Sequence, residues 1–198
     1  MGFVEGKIVE EKVFKGKVFP KTLLPSNTCD LVEMVRSDRE LLSDILQQHG
    51  AILFRGFGVF SAQDFSSVVK AFEWDDMPYM GGATRVKVDD RIYTANEAPL
   101  DHLINFHHEM SLCKEYPSKI FFFCLEPSPE GGETSILPSH IIVEKMEELM
   151  PDFVVKLSQV RLIFRFRTVT DADSNDRVIS KTWKELLKTD DEVEAEKR

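Results

Sequence analysis

The chain has 198 residues, a formal net charge of −9 and 42% hydrophobic residues. Its length is enough for one domain with a substantial core. The negative charge argues against a nucleic-acid partner, because phosphate binding needs concentrated Lys and Arg. Three cysteines without a CxxC pair favour a reducing compartment over a disulfide framework. No apolar run approaches the roughly 18 residues of a membrane span, and the first residues resemble neither a secretory nor a myristoylation signal. We therefore predict a cytoplasmic protein without a membrane partner.

The first fifty residues predict short strands followed by a helix. Residues 1–20 alternate charged with apolar side chains, which is typical of one or two edge strands. Ser37 and Glu40 have the spacing of a capping box, and apolar residues follow at helical intervals. Gly50 occupies the position where a helix end needs a left-handed residue. The pattern predicts a helix over 38–48.

A buried strand and a second helix are predicted next. Residues 51–54 are uniformly apolar and read as a strand. Ser61 is suited to cap a helix, and Asp64 would be favourable near its N-terminus. The buried stripe of that helix is expected to contain Phe65, Val68, Val69 and Phe72.

The middle of the chain is rich in turn residues and then becomes strongly apolar. Residues 75–105 either line a substrate pocket or form a plain surface loop, and the sequence leaves both open. The run 120–125 predicts a strand buried on both faces, with Cys124 as a small core residue. Residues 133–137 predict another short strand.

The last third predicts helices and one alternating segment. Ser139 is suited to cap a helix that ends before Pro151. Residues 161–167 alternate basic and apolar side chains, which favours a solvated basic face. Residues 182–198 are charged and favour a helical tail.

The triplet His107-His108-Glu109 carries the strongest chemical signal in the chain. If the segment is extended, His107 and Glu109 share a face and His108 points the opposite way. An imidazole and a carboxylate aimed at one point make two-thirds of the facial triad that holds non-haem Fe(II). On its own the triplet is weak, because a surface strand with solvated histidines has the same pattern.

Other chemistries for the histidine pair have less support. A zincin needs His-Glu-x-x-His, and the last position of that motif is Leu112 here. The chain has no G-x-S-x-G nucleophile elbow and no phosphate-binding loop of the G-x-x-x-x-G-K-[ST] type. Cys113 beside the histidines is a possible nucleophile, but no local signature supports it.

Several motifs in order resemble the Fe(II)/2-oxoglutarate-dependent dioxygenases of the TauD/TfdA type, and among them the plant clavaminate synthase-like proteins. The resemblance covers about residues 40 to 165. It rests on these segments: Ala51 to Phe57, Pro78 to Gly82, Thr94 to Glu97, Phe106 to Met110, Pro117 to Lys119 and Gly131 to Thr134.

The resemblance implies a cofactor set and a fold. His107 and Glu109 match the first two iron ligands, and Thr134 matches a threonine that contacts the carboxylate of 2-oxoglutarate. The implied cofactors are Fe(II) and 2-oxoglutarate as co-substrate, with O2 and a small-molecule substrate as partners. The implied fold is of the α+β class: a double-stranded β-helix, or jelly roll, with flanking helices.

The chain also departs from the family pattern. The family takes its third ligand, a histidine, and a 2-oxoglutarate arginine from late strands, whereas His49, His102 and His140 lie in no matching motif. We therefore expect 1–198 to be a single, incomplete domain that stops before the late strands, with 182–198 as a charged helical tail from the mid-domain insertion. Activity of the chain alone would then be impaired. The alternative is a non-catalytic binding module that retains part of the fold.

Overall fold

The computed structural model describes residues 2–27, 29–83, 85–99, 103–111, 113–160, 162–163, 165 and 181–197. The chain forms two compact units. The first unit comprises Met1–Trp74 and Phe123–Val154, and the second comprises Asp75–Phe122 and Val155–Arg198.

The described residues form short strands and helices of very different lengths. In chain order the strands are β1 (Phe3–Glu5), β2 (Lys12–Phe14), β3 (Lys17–Phe19), β4 (Lys21–Pro25), β5 (Ile52–Phe54), β6 (Lys87–Asp89) and β7 (Ile92–Tyr93). The helices are α1 (Leu31–His49), α2 (Ala62–Ala71), α3 (Ser139–Leu149), α4 (Pro151–Gln159), α5 (Trp183–Leu187) and α6 (Glu192–Ala195). None of these helices is both long enough and apolar enough to cross a bilayer.

The first unit is built around a three-stranded sheet in the order β1-β4-β5. β4 pairs antiparallel with β1 and parallel with β5, and α1 connects the two parallel strands. β2 and β3 form a separate antiparallel hairpin, so residues 1–20 contain three short strands where the sequence predicted one or two. The core of this unit contains the fully buried Leu23 of β4 and Met34, Val35 and Leu42 of α1.

The helix α1 starts seven residues earlier than the sequence predicted. Asp30 is its N-cap, and the Asp30 carboxylate accepts a hydrogen bond from the Glu33 N–H at 3.0 Å. The Ser37 hydroxyl donates to the Met34 carbonyl at 3.0 Å instead of capping a new helix. Asp38 leaves the helical conformation, with φ −115° and ψ 23°, so α1 is kinked there. The capping-box prediction was wrong because Asp30 supplies an earlier cap and the helix continues through the kink.

The C-terminal end of α1 and the start of α2 are as the sequence predicted. Gly50 ends α1 with φ 77°, a conformation in which a side chain would be strained. The Ser61 hydroxyl caps α2 by accepting from the Asp64 N–H at 3.1 Å. Phe65 stacks on Phe123 with ring centroids 5.1 Å apart. The other members of the predicted stripe, Val68, Val69 and Phe72, are buried.

The structure confirms a helix, α3, at the predicted position, but the residue that caps it differs from the prediction. It begins at Ser139, yet its N-cap is Pro138, which provides no side-chain hydrogen bond. The Ser139 cap was therefore wrong, because Ser139 is already inside the helix. The predicted end before Pro151 is confirmed, since α3 stops at Leu149.

Two predicted strands are absent from the described residues. The segments 120–125 and 133–137 have no regular strand structure. Ile120, Phe122 and Leu125 are 51, 55 and 56% exposed, and Cys124 is exposed as well. An apolar run becomes a doubly buried strand only when neighbours pair with it and cover both faces. The described residues provide no such pairing, so the predictions of a buried strand and a core Cys124 were wrong.

The second unit contains the turn-rich segment and the charged tail. β6 and β7 form a short antiparallel hairpin, and the rest of 75–83 and 85–99 is irregular. In the tail, Thr182 and Glu185 form a capping box at the start of α5. Hydrogen bonds from the Thr182 N–H and hydroxyl hold the pKa of Glu185 below its usual value. The described part of 182–198 contains two short helices, α5 and α6, and the assignment of this tail to a mid-domain insertion stays a prediction. Most of the alternating segment 161–167 lies outside the described residues.

Candidate metal site and its comparison with known proteins

The segment that carries the histidine pair is irregular, not a strand. Residues 103–108 have no regular structure, and a turn begins at Glu109. Met110 has φ 56°, a left-handed conformation that is uncommon for a non-glycine residue, and its side chain is buried. His107 is exposed and Glu109 is partly buried. The alternation argument for these two side chains therefore loses its basis, and their convergence stays a prediction.

One ring nitrogen of His107 has a hydrogen-bond partner in the main chain. Its Nδ1 lies 2.7 Å from the carbonyl oxygen of Asn105. Because a carbonyl oxygen only accepts, Nδ1 carries the hydrogen and Nε2 of the neutral ring keeps its lone pair. Metal-binding histidines typically donate their other ring N–H to a carbonyl or carboxylate in this way. The contact sets the tautomer that an Nε2 ligand requires.

Glu109 is paired with an arginine that sequence reasoning missed. Nη2 of Arg85 lies 3.1 Å from each carboxylate oxygen of Glu109. The two side chains are 16 and 19% exposed, so the pair is shielded from water. Twenty-four residues separate the partners, and no periodic pattern connects them, so only the folded chain identifies the contact.

The donors present fit a metal site in part. His107 offers a nitrogen and Glu109 a carboxylate, which is the chemistry of two ligands of the non-haem iron triad. Among the described residues, no three His, Cys, Asp or Glu side chains come together as a metal-binding group. His49 ends α1 with its Nδ1 2.7 Å from the Val18 carbonyl, and His140 is exposed in the first turn of α3. His102 lies outside the described residues.

Thr134 follows the double glycine in the first unit. Gly131 and Gly132 have φ values of 70° and 79°, and a Cβ on Gly132 would lie 2.9 Å from the Ser128 Cβ. Both φ values favour glycine, the Ser128 contact restricts position 132 further, and the two residues turn the chain before Thr134. Thr134 is exposed and not in a strand. His107 and Glu109 belong to the second unit, so the position of Thr134 beside them stays a prediction.

Comparison with known proteins identifies the family. The model of the taurine catabolism dioxygenase TauD, TfdA family matches residues 20–196. The chain belongs to the TauD/TfdA dioxygenase family. The resemblance noted from the motifs is thereby confirmed, and the match includes His107, Glu109 and Thr134.

Two relatives show how much of a TauD/TfdA protein this chain represents. It is 39% identical to a clavaminate synthase-like protein of Arabidopsis thaliana, over 98% of the chain and 62% of that protein. It is 27% identical to the dapdiamide synthesis protein DdaC of Enterobacter agglomerans, over 78% of the chain and 44% of that protein. The chain thus spans less than two-thirds of the length of each relative.

Proposed function

We propose that this chain carries the first two iron ligands of an Fe(II)- and 2-oxoglutarate-dependent oxygenase that oxidises a small molecule with O2. The observation that carries the proposal is the state of His107, whose Nδ1–H is held by Asn105 so that Nε2 keeps its lone pair. Glu109, two residues further on, offers the carboxylate. The family membership supplies the reaction class, and the jelly roll is its implied fold.

Each residue has a defined role in this proposal. His107 would bind Fe(II) through Nε2, with Asn105 keeping the ring in the required tautomer. Glu109 would bind through a carboxylate oxygen and lower the net charge at the metal. Thr134 would donate its hydroxyl hydrogen to a carboxylate of 2-oxoglutarate. When bound, Fe(II) and 2-oxoglutarate supply the oxidising chemistry through oxidative decarboxylation to succinate and CO2.

Metal binding tests this proposal directly. We expect Glu109→Gln to weaken Mn(II) binding at least about tenfold, since even indirect partners of a metal ligand contribute about 10–100-fold. Titration calorimetry of parent and variant with Mn(II) measures the change. The matched control is Glu115→Gln at an exposed position of the same unit. Equal Mn(II) affinity in Glu109→Gln and parent would remove Glu109 from the site.

The role of Thr134 has its own test. With Mn(II) saturating, Thr134→Ala should weaken 2-oxoglutarate binding about tenfold, which corresponds to one hydrogen bond to a charged group. Affinity for Mn(II) alone should change much less, because Thr134 is not a proposed ligand. Ser135→Ala is the control, because this hydroxyl is adjacent and also exposed. Unchanged 2-oxoglutarate affinity in Thr134→Ala would contradict the assignment.

One observation favours a second function, a non-catalytic binding module. Both oxygens of Glu109 are already paired with Arg85, and the described residues bring no third metal ligand to this pair. A relative that keeps the fold without the chemistry would tolerate such an ion pair. If neither His107→Ala nor Glu109→Gln changes Mn(II) binding, the module becomes the better description.

A further inference from the structure

The guanidinium of Arg85 is held in place by contacts that do not involve Glu109. Its Nη1 donates to the carbonyl oxygen of Thr94 at 3.2 Å and also to that of Ala95. Its central carbon lies 4.8 Å from the centroid of the Tyr79 ring, within range of a cation–π interaction. All of these residues lie in the second unit. The position of the cation is therefore defined by the loop around it.

The Arg85 guanidinium lies where a metal cation would lie if it were bound to the Glu109 carboxylate. One nitrogen, Nη2, is 3.1 Å from both carboxylate oxygens, so it lies on the plane that is equidistant from them. A metal chelated symmetrically by both oxygens would lie on the same plane. Glu109 comes from a turn that follows an irregular segment, whereas Arg85 is anchored to main-chain carbonyls. If a metal binds Glu109, the carboxylate is the group that moves.

A second cation, Lys181, contacts the same aromatic ring as Arg85. Lys181 Nζ lies 5.3 Å from the same Tyr79 ring centroid and donates to the Gly81 carbonyl at 2.7 Å. Among the described residues Arg85 is ion-paired with Glu109, whereas the charge of Lys181 acts on Glu185. Once the Glu109 carboxylate leaves, a shielded arginine loses its counter-ion, which is costly unless another anion replaces it.

We propose that Arg85, held against Tyr79 and by the Thr94 and Ala95 carbonyls, is a binding site for a carboxylate ligand. Glu109 occupies this site when no metal is present and vacates it when it binds a divalent cation. The planar, multiply donating guanidinium selects carboxylates by geometry as well as by charge. Metal and acidic ligand then bind with positive coupling, and by linkage each strengthens the other equally. Only the metal-driven release of Arg85 rests on the function proposed above.

The site can be tested first without any metal. The probe is glutarate, which has two carboxylates but lacks the keto oxygen that allows 2-oxoglutarate to chelate a metal. Glu109→Ala should bind glutarate about 5-fold or more tightly than the parent, since Arg85 is released. The gain should disappear in the double variant Glu109→Ala, Arg85→Gln. The exposed Glu115→Ala removes the same charge and should leave glutarate binding as in the parent.

The coupling is tested with Mn(II) in the parent protein. Titration calorimetry should show glutarate binding about 5-fold or more tightly with saturating Mn(II) than without it. In Arg85→Gln the affinity for glutarate should be the same with and without Mn(II). In Arg36→Gln it should differ as in the parent, because Arg36 pairs with Glu33 on the exposed surface of α1.

The outcomes separate this inference from the proposed function. If Glu109→Ala gains no affinity for glutarate, the carboxylate site is overturned, even when Glu109→Gln loses Mn(II) and the metal site stands. If Glu109→Ala gains glutarate affinity but Glu109→Gln keeps Mn(II), the carboxylate site is supported and the metal assignment falls. Thermal melts check each variant, and where Glu109→Ala is less stable, Glu109→Gln provides the same comparison with a near-isosteric side chain.

Discussion

Incubated with Fe(II), 2-oxoglutarate and O2, the 198-residue chain is expected to form succinate no faster than the same concentration of free Fe(II). The described residues bring no third metal ligand to His107 and Glu109, and Arg85 competes for the Glu109 carboxylate. Water then occupies the coordination positions of the metal that the protein does not fill, and the metal is held weakly. Since enzymes typically accelerate reactions at least about 10⁶-fold, the absence of acceleration is easily measured by succinate release.

The comparison needs two controls. His107→Ala should give the same background rate as the parent, because neither forms a complete iron site, and a reaction without protein defines the rate of free Fe(II). Robust turnover by the parent that is lost in His107→Ala would contradict the expectation. That result would mean that another histidine of this chain completes the triad. His102 would be the first to replace, because it lies nearest to the triplet in sequence.

Replacing Leu42 with Ala should lower the free energy of unfolding by about 2–5 kcal/mol. Leu42 is 1% exposed, on the face of α1 that provides core residues of the first unit. The substitution removes buried apolar surface and leaves a cavity that the surrounding helix and sheet fill only in part. Since domains of this kind are stable by only about 5–15 kcal/mol, the loss is a large fraction of the total.

Urea unfolding in a Trp183→Phe background, in which the fluorescence comes from Trp74 of the first unit, measures this change. The matched control is Glu40→Ala, two residues earlier on the same helix but exposed. It removes no buried surface, and Ala is a good helix former, so its effect should stay within about 0.5 kcal/mol. A loss below about 1 kcal/mol for Leu42→Ala would mean that α1 is not packed in the core as the structure shows.

Local features of the sequence predicted local features of the structure. The hydroxyl of Ser61 and the helical spacing after it were enough to predict α2, because capping and amphipathic periodicity act over a few residues. Gly50 marked the end of α1 for the same reason. The ordered motifs around His107 and Thr134 were enough to predict the family, which the match over residues 20–196 confirms.

Features that depend on distant partners could not be predicted from the sequence alone. Apolar residues 120–125 have the composition of a buried strand, but a strand requires neighbours, and the described residues pair none with this segment. The start of α1 depended on which of two capping residues was used, and the kink at Asp38 allowed one helix where the pattern indicated a shorter one.

The candidate site also has features that the sequence predicted and features that only the folded structure shows. By itself the sequence determined that an imidazole and a carboxylate lie two residues apart in a motif of the TauD/TfdA family, because that information is contiguous. Only the tertiary structure decided that Asn105 sets the tautomer of His107 and that Arg85 pairs with Glu109. Both depend on where an irregular backbone directs its polar groups, and no periodic pattern encodes that direction. Charge pairs separated by 24 residues form only when the chain has folded.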